Sequence, residues 1–347
     1  LLPTNILGTT DLQLTRVGFG AWAIGGAGWR YSWGAQDDDD SIATIRRVVE
    51  AGVNWIDTAA VYGLGHSEEI VAKALSGIPE TDRPYVFTKC GLVWDDNDRL
   101  AAPMRIMEPA SVRRELEGSL KRLGVERIDL YQVHWPATGR SLEWGGEQDD
   151  TAVATSLEEY WQLMADLKAE GKVGAIGLSN HDIPQLRAAE KIAHVDSIQP
   201  QFSAIKRDSS DQLAWADAVD AGAIVYQPLH SGLLTGAFSA ERVAALPDDD
   251  WRKTFPEFTT ELDRNLALMA GLRPIAEAHN TTVASVAIAW TLAWPGVTGA
   301  IVGARRPDQI DGWIDAAELI LTPADLSAIS EVITATGAGS GPVRAKN

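Results

Sequence analysis

Asp57, Lys89 and His134 each close a short apolar run, at 53–57, 85–89 and 128–134, and Tyr62 follows Asp57 in a glycine-containing turn. Together these four residue types can deliver a proton. A carbonyl carbon that accepts a hydride leaves an alkoxide in need of one, and a phenol can give it. An unperturbed tyrosine, with a pKa near ~10, is a weak acid for that task at neutral pH. A lysine ammonium beside it stabilises the phenolate and lowers that value. A buried lysine needs a carboxylate partner, which Asp57 can be. His134 is placed to donate to the substrate oxygen and orient it. Taken singly, each residue has an ordinary reading: a histidine at a strand end packs, and an aspartate caps a helix. Four of them converging on one point favour chemistry.

Convergence requires the runs to lie side by side. Short apolar runs recur at 15–20, 53–57, 85–89, 128–134, 173–178, 197–199, 223–227 and 298–302. Helical patterns separate them, at 42–50, 67–75, 110–123, 157–169, 183–193 and 212–221, with further helical segments beyond. Strands alternating with helices imply parallel pairing and right-handed crossovers. Eight such units imply an α/β fold closed into a (β/α)8 TIM barrel, with a doubly wound open sheet as the alternative. Residues 4–7 and 12–15 flank Gly8-Thr9-Thr10-Asp11 and read as a β-hairpin under the barrel. The chain reads as one domain, 1–347, ending in a loosely held glycine-rich tail, 337–347.

Three segments, 21–40, 91–108 and 137–155, are too long for tight connections and follow strands, so they belong at the barrel mouth. They carry Trp22, Trp29, Trp33, Trp94 and Trp144, which read as pocket walls. Trp22, Trp94 and Trp135 are the candidate substrate-pocket residues. Asp95, Asp96, Asn97 and Arg140 are candidate grips on substrate hydroxyls.

Several stretches carry a family resemblance. Asp57-Thr58-Ala59-Ala60-Val61-Tyr62-Gly63, Thr88-Lys89 and Gln132-Val133-His134-Trp135-Pro136 resemble the aldo-keto reductase signatures. So do Gly177-Leu178-Ser179-Asn180, Gln199-Pro200-Gln201-Phe202-Ser203 and Leu233-Leu234-Thr235-Gly236, so that the resemblance runs from the hairpin to Gln309. It implies a nicotinamide-dependent oxidoreductase in which Asp57, Tyr62, Lys89 and His134 form the catalytic tetrad. It also implies that Ser179, Asn180 and Gln199 hold the nicotinamide carboxamide and that Tyr226 stacks on its ring. Leu229, Ser231, Gly232 and Leu233 match a loop whose backbone N–H groups cradle the pyrophosphate. After the last run comes Gly303-Ala304-Arg305-Arg306-Pro307-Asp308-Gln309. Arg305 and Arg306 beside a helix N-terminus read as the site of the 2′-phosphate of NADP, with NAD the alternative. The family has Asn where this chain has Trp313, so Trp313 either stacks on adenine or sits on a displaced helix. Phe202 stands where the family has Tyr. The sequence is most similar to the bacterial branch that handles polyols, sugars and small aldehydes. A cofactor-binding regulatory subunit of the same fold, with little turnover, is the rival reading.

Composition narrows the partners. Lys plus Arg number 30 and Asp plus Glu 48, giving a formal charge of −18. That argues against nucleic acid and anionic membranes and leaves a small carbonyl or polyol as the partner, with the oligomeric state unknown. The single cysteine, Cys90, excludes an intrachain disulfide and a cysteine-rich zinc site. No apolar run approaches the ~20 residues of a membrane span, and the first residues lack a signal-peptide pattern, so a cytoplasmic location is expected. Gly18-Phe19-Gly20-Ala21-Trp22-Ala23 fits the dinucleotide fingerprint loosely, but no helix pattern follows, so it reads as a barrel strand. Asp37-Asp38-Asp39-Asp40 reads as a helix N-terminus, and no metal site is expected. Cys90 should point away from Lys89 and pack.

Overall fold

Eight parallel strands close into a barrel in chain order: β1 (Val17–Gly20), β2 (Trp55–Asp57), β3 (Tyr85–Cys90), β4 (Ile128–Val133), β5 (Val173–Ser179), β6 (Ser197–Gln199), β7 (Gly222–Val225) and β8 (Gly299–Gly303). This is a (β/α)8 barrel, seen in a computed structural model that describes residues 1–143, 152–247 and 250–345. Helices separate the strands, beginning with α1 (Asp38–Glu50) and α2 (His66–Leu75). Their ends follow local chemistry. The Asp37 side chain accepts from the Asp39 and Asp40 N–H groups, so the acidic run caps α1. Among the described residues no helix is long and apolar enough to cross a membrane.

Strand alternation sorts side chains into two cores. Val86 and Cys90 of β3, like Tyr131 and Val133 of β4, face the helices and join the outer core. Trp55, Phe87 and Leu130 face the barrel axis, where they meet Ile224 and, from below, Leu7, Leu12 and Leu14. The last three come from the hairpin, whose strands Thr4–Ile6 and Gln13–Thr15 pair antiparallel. Gly18 makes room for this floor, because a Cβ there would run into the Trp55 indole. That contact explains why a glycine-rich strand stands here with no nucleotide-binding turn. Two residues further along the same inward faces come Asp57, Lys89 and Gln132, which form the layer above the floor.

Three regions differ from expectation. The segment after β3 carries a small sheet of its own, Leu92–Val93 paired with Met104–Arg105, too short to leave an alternation signal. After β8 the chain makes two short 3-10 helices, Pro307–Gly312 and Ile314–Ala317, before the helix Pro323–Thr336, so Arg305 and Arg306 precede no α-helix. The tail is tied down over 337–345. The buried Arg207 guanidinium donates to Ala338 O and Pro342 O, at 3.2 and 3.0 Å, and to Ala204 O. Backbone bonds from Arg207 to Ser340 O and from Ser340 to Ile205 O complete the clasp. Glycine content suggested looseness, yet these carbonyls are the acceptors a buried arginine requires. Trp144 and the last two residues of the tail lie outside the described residues.

Candidate active site

The layer above the floor is built around Lys89, whose ammonium is sealed at the end of β3 with 1% of its surface exposed. Its three protons meet three oxygens: Asp57 Oδ1 at 2.5 Å, Thr58 O at 2.9 Å and Tyr62 Oη at 3.3 Å. The other Asp57 oxygen accepts from Gln132 Nε2 at 3.2 Å and Gln199 Nε2 at 2.9 Å. Gln199 Nε2 also donates to Gln132 Oε1 at 3.0 Å, so two strands brace the carboxylate. Tyr62 reaches this point through the turn after β2. Gly63 there is left-handed, at φ 64°, and so close to Gly25 that a Cβ would strike the Gly25 carbonyl oxygen. Only glycine lets the first mouth loop press the Tyr62 turn inward. The Tyr62 ring lies edge-on to His134, with centroids 5.8 Å apart, and stacks on Trp22 at 6.3 Å.

Burial and charge set the protonation states. Burial pushes the Tyr62 phenol above its ordinary value, against the pull of the Lys89 ammonium; Asp57 pushes it the same way as burial. The lowered value expected of a tyrosine beside lysine is therefore not reached, because desolvation outweighs the neighbouring charge. Lys89 itself is pulled down by burial, but the stronger sum of Asp57 and Tyr62 holds it above its ordinary value. Burial, reinforced by the Lys89 charge, holds His134 well below the ordinary imidazole value, so the ring is neutral at pH 7. The site thus combines a phenol, a fixed ammonium and a neutral imidazole.

A cavity of about 690 Å³ opens from this point across the mouth. Asp57, Tyr62 and His134 line it, and Lys89 lies just beneath. Ser179, Asn180, Gln199 and Tyr226 line it too. The Tyr226 hydroxyl donates to Asn180 Oδ1 at 2.8 Å, and Asn180 Nδ2 donates to His134 O and Ser179 Oγ, at 3.0 and 3.1 Å. Leu229, Ser231 and Gly232 line the wall further on, whereas Leu233 is fully buried beneath it. Ser231 and Gly232 are both left-handed, at φ 55° and 97°, a backbone form that turns N–H groups toward one point. A Cβ on Gly232 would sit 3.0 Å from the Phe238 ring, and the φ of 97° strains any other residue, so the position favours glycine.

Gly303, Arg305, Arg306 and Gln309 line the far end. The Gln309 side-chain oxygen accepts from the Arg305 and Arg306 N–H groups at 2.7 and 3.3 Å. Arg305 Nε donates to Gln36 Oε1 at 2.8 Å, and its Nη2 to Ala35 O, while Arg306 pairs with Asp308 at 3.1 Å. Trp313 is buried in the outer core and does not line the cavity, so it is not an adenine platform. Phe202 stacks on Trp290 in the same core. Among the tryptophans, Trp22, Trp29, Trp33 and Trp135 line the cavity and Trp94 does not. The Trp94 indole donates to Asp96 at 2.9 Å, and Asp95 accepts from Asn97, which closes this polar run on itself away from the cavity. Arg140 does not line the cavity either.

Sequence reasoning missed Gln132, although it lies two residues before His134 on the inward face of β4. It also missed Arg242 and Arg252, which line the cavity from the segment after β7. Arg252 pairs with Asp250 at 2.6 Å and lies over the Trp33 ring at 5.1 Å. No strand end marks the two arginines, because Arg242 sits in the short helix Ala240–Ala244 and Arg252 in the 3-10 helix Trp251–Thr254.

The model of the Aldo/keto reductase family matches residues 16–334. The Aldo-keto reductase YhdN of Bacillus subtilis (strain 168) is 34% identical over 332 residues, covering 94% of this chain and 92% of that protein. The NADH-specific methylglyoxal reductase of Escherichia coli (strain K12) is 32% identical over 341 residues, covering 95% and 98%. Among solved structures, the glycerol dehydrogenase AKR11B4 from Gluconobacter oxydans superimposes with a TM-score of 0.84 at 34% identity, covering 98% of this chain and 97% of that one.

Proposed function

The chain belongs to the aldo/keto reductase family of oxidoreductases, and from that premise we propose that it moves hydride between NADP(H) and a small carbonyl or alcohol, with Tyr62 as the proton donor and acceptor. The observation that carries this reading is the direction of one hydrogen bond. Tyr62 Oη accepts from Lys89, at 3.3 Å, so its own proton is directed elsewhere, and Tyr62 lines the cavity. A bound nicotinamide dinucleotide supplies the hydride in reduction and takes it in oxidation. In reduction the C=O π pair moves onto oxygen as the hydride reaches carbon. The developing alkoxide takes the Tyr62 proton, and Lys89 holds the resulting phenolate. His134, neutral, donates its ring N–H to the same oxygen and fixes its position. Asp57 keeps Lys89 charged and in place.

The cavity suits the dinucleotide. Tyr226, its hydroxyl anchored on Asn180, offers a ring for stacking, and Ser179, Asn180 and Gln199 offer polar groups nearby. The turn through Leu229, Ser231, Gly232 and Leu233, left-handed at Ser231 and Gly232, suits a pyrophosphate. Gly303 lets the chain pass close, Gln309 braces the turn, and Arg305 and Arg306 are assigned to the 2′-phosphate of NADP. Their setting supports an anion: Arg305 is pulled below the ordinary guanidinium value by burial, then by Arg306 and Arg252, whose positive charges lie close by. Replacing both Arg305 and Arg306 with Ala should weaken NADPH binding at least about tenfold more than NADH binding, as fluorescence titration would read. Equal losses for the two cofactors would move the 2′-phosphate elsewhere.

The protonation states predict a pH profile. His134 is held well below the ordinary imidazole value and Tyr62 above the ordinary phenol value. Neither group changes charge in the middle range, so kcat/KM for carbonyl reduction should stay flat from pH ~6.5 to ~9 and fall only as Tyr62 ionises at higher pH. An inflection centred near pH ~6.5 would show an ordinary imidazole at work.

Oxidation of NADPH and NADH, followed side by side with a panel of aldehydes and ketones and with alcohols in reverse, tests the overall reading. Tight cofactor binding with no turnover on any of them would favour the regulatory-subunit reading.

A further inference from the structure

We infer that His181, held from behind by Tyr160, is a positioning residue for the nicotinamide end of the site: it sets the Asn180 amide on which His134 and Tyr226 both rest. The inference rests on the cofactor and carbonyl-reduction reading above. Neither residue lines the cavity. Both are buried, Tyr160 on the helix Leu157–Ala169 that precedes β5 and His181 in the chain that leaves β5.

β5 ends at Ser179, and the next residue, Asn180, is left-handed at φ 60°. Asparagine tolerates that conformation better than most residues, yet it remains the minority one. The following residue supplies a hold. His181 Nδ1 lies 2.8 Å from Ser179 O, which can only accept, so the ring donates back across Asn180 and closes the turn. Its Nε2 lies 2.8 Å from Tyr160 Oη. Burial raises the Tyr160 phenol above its ordinary value, so the hydroxyl keeps its proton and donates it to Nε2. The helix thus orients the ring, the ring holds Ser179 O, and Asn180 is fixed between them. Asn180 is in turn a hub. Its amide donates to His134 O and Ser179 Oγ, at 3.0 and 3.1 Å, and accepts from the Tyr226 hydroxyl at 2.8 Å. Turning this one amide displaces together the imidazole that orients the reacting oxygen and the ring offered to the nicotinamide. Small displacements of either group are costly, because hydride transfer depends on close alignment.

The test is His181→Leu, which removes both ring nitrogens and keeps a side chain of similar bulk, read beside His181→Asn, whose amide N–H takes the place of Nδ1. The tighter of NADPH and NADH and the fastest aldehyde of the panel above serve as substrates, and rates are referred to cofactor sites counted by fluorescence titration. His181→Leu should raise the cofactor Kd about tenfold and lower kcat about tenfold, with a larger primary isotope effect from cofactor deuterated at C4. His181→Asn should bring both constants back to within about threefold of wild type. Tyr160→Phe removes a single oxygen and should move both constants about threefold; it carries the test where His181→Leu fails to fold. A purely structural role lowers the thermal midpoint and the number of sites but leaves Kd, kcat per site and the isotope effect at their wild-type values. That result, or an Asn variant no better than the Leu variant, overturns the inference while the oxidoreductase reading stands. Where wild-type protein binds cofactor without turnover, the Kd values alone decide. Wild-type protein that binds neither cofactor brings both readings down.

Discussion

Tyr62→Phe should lower kcat for carbonyl reduction about 10³-fold and leave the NADPH dissociation constant within about twofold. The substitution removes one oxygen. The ring keeps its stack on Trp22 and its edge contact with His134, and Lys89 keeps Asp57 and Thr58 O as acceptors. Cofactor contacts assigned to Asn180, Tyr226 and the 229–233 turn do not involve the missing atom. Single-turnover kinetics with NADPH would place the loss in the chemical step, and fluorescence titration would read the affinity. Full activity in the variant would give the proton to another group. Equal losses of binding and rate would mean that Tyr62 shapes the cavity and takes no part in proton transfer.

Lys89→Met should cost both activity and stability. Asp57, only 3% exposed, would be left with the Gln132 and Gln199 amides as its donors among the described residues. Breaking a buried pair from one side typically costs about 3–5 kcal/mol, since the remaining charge is left uncompensated. Urea unfolding would measure this. Adding Asp57→Asn removes the stranded charge, so the double variant should regain much of the lost stability but none of the lost rate. That split separates an electrostatic role at Tyr62 from a purely structural one. The pH dependence follows the same pair. Lys89 sits above its ordinary value in the folded chain, so its contribution is complete below about pH 10.5 and is lost as pH rises through the folded value. Wild-type protein should therefore lose stability at high pH more steeply than the double variant. Parallel losses in the two proteins would assign the alkaline transition to other groups.

Much of this site was legible because strand ends advertise their position. Asp57, Lys89 and His134 close apolar runs, and closing a parallel barrel in chain order brings neighbouring ends together with no further information. Tyr62 was legible from its distance to Asp57 and from Gly63. The state of the site was less so. Spacing shows that Lys89 stands beside Tyr62, but the sign of the Tyr62 shift depends on burial, which is a three-dimensional quantity. The candidate hydroxyl grips went wrong for a related reason. Asp95, Asp96 and Asn97 lie in a mouth loop, and loop residues that can bond one another do so. Arg207 is the converse case. Nothing in the sequence marks it, and only the fold shows it buried, with the tail wrapped around it.

The floor of Trp55, Phe87, Leu130 and the hairpin leucines has a consequence for traffic. It is an electrical and aqueous insulator directly beneath a charged lysine. Among the described residues the hydrogen bonds of the Lys89 ammonium run to Asp57, Thr58 O and Tyr62 and none runs down into the floor, so each of its three protons is already committed to an oxygen of the site. On the proposed mechanism Lys89 then acts as a stationary electrode, polarising Tyr62 without passing a proton along. Tyr62 must recover its proton from the side on which product departs, which ties recharging of the acid to the emptying of the mouth. Such a barrel reloads from the top only, like a well with a sealed bottom.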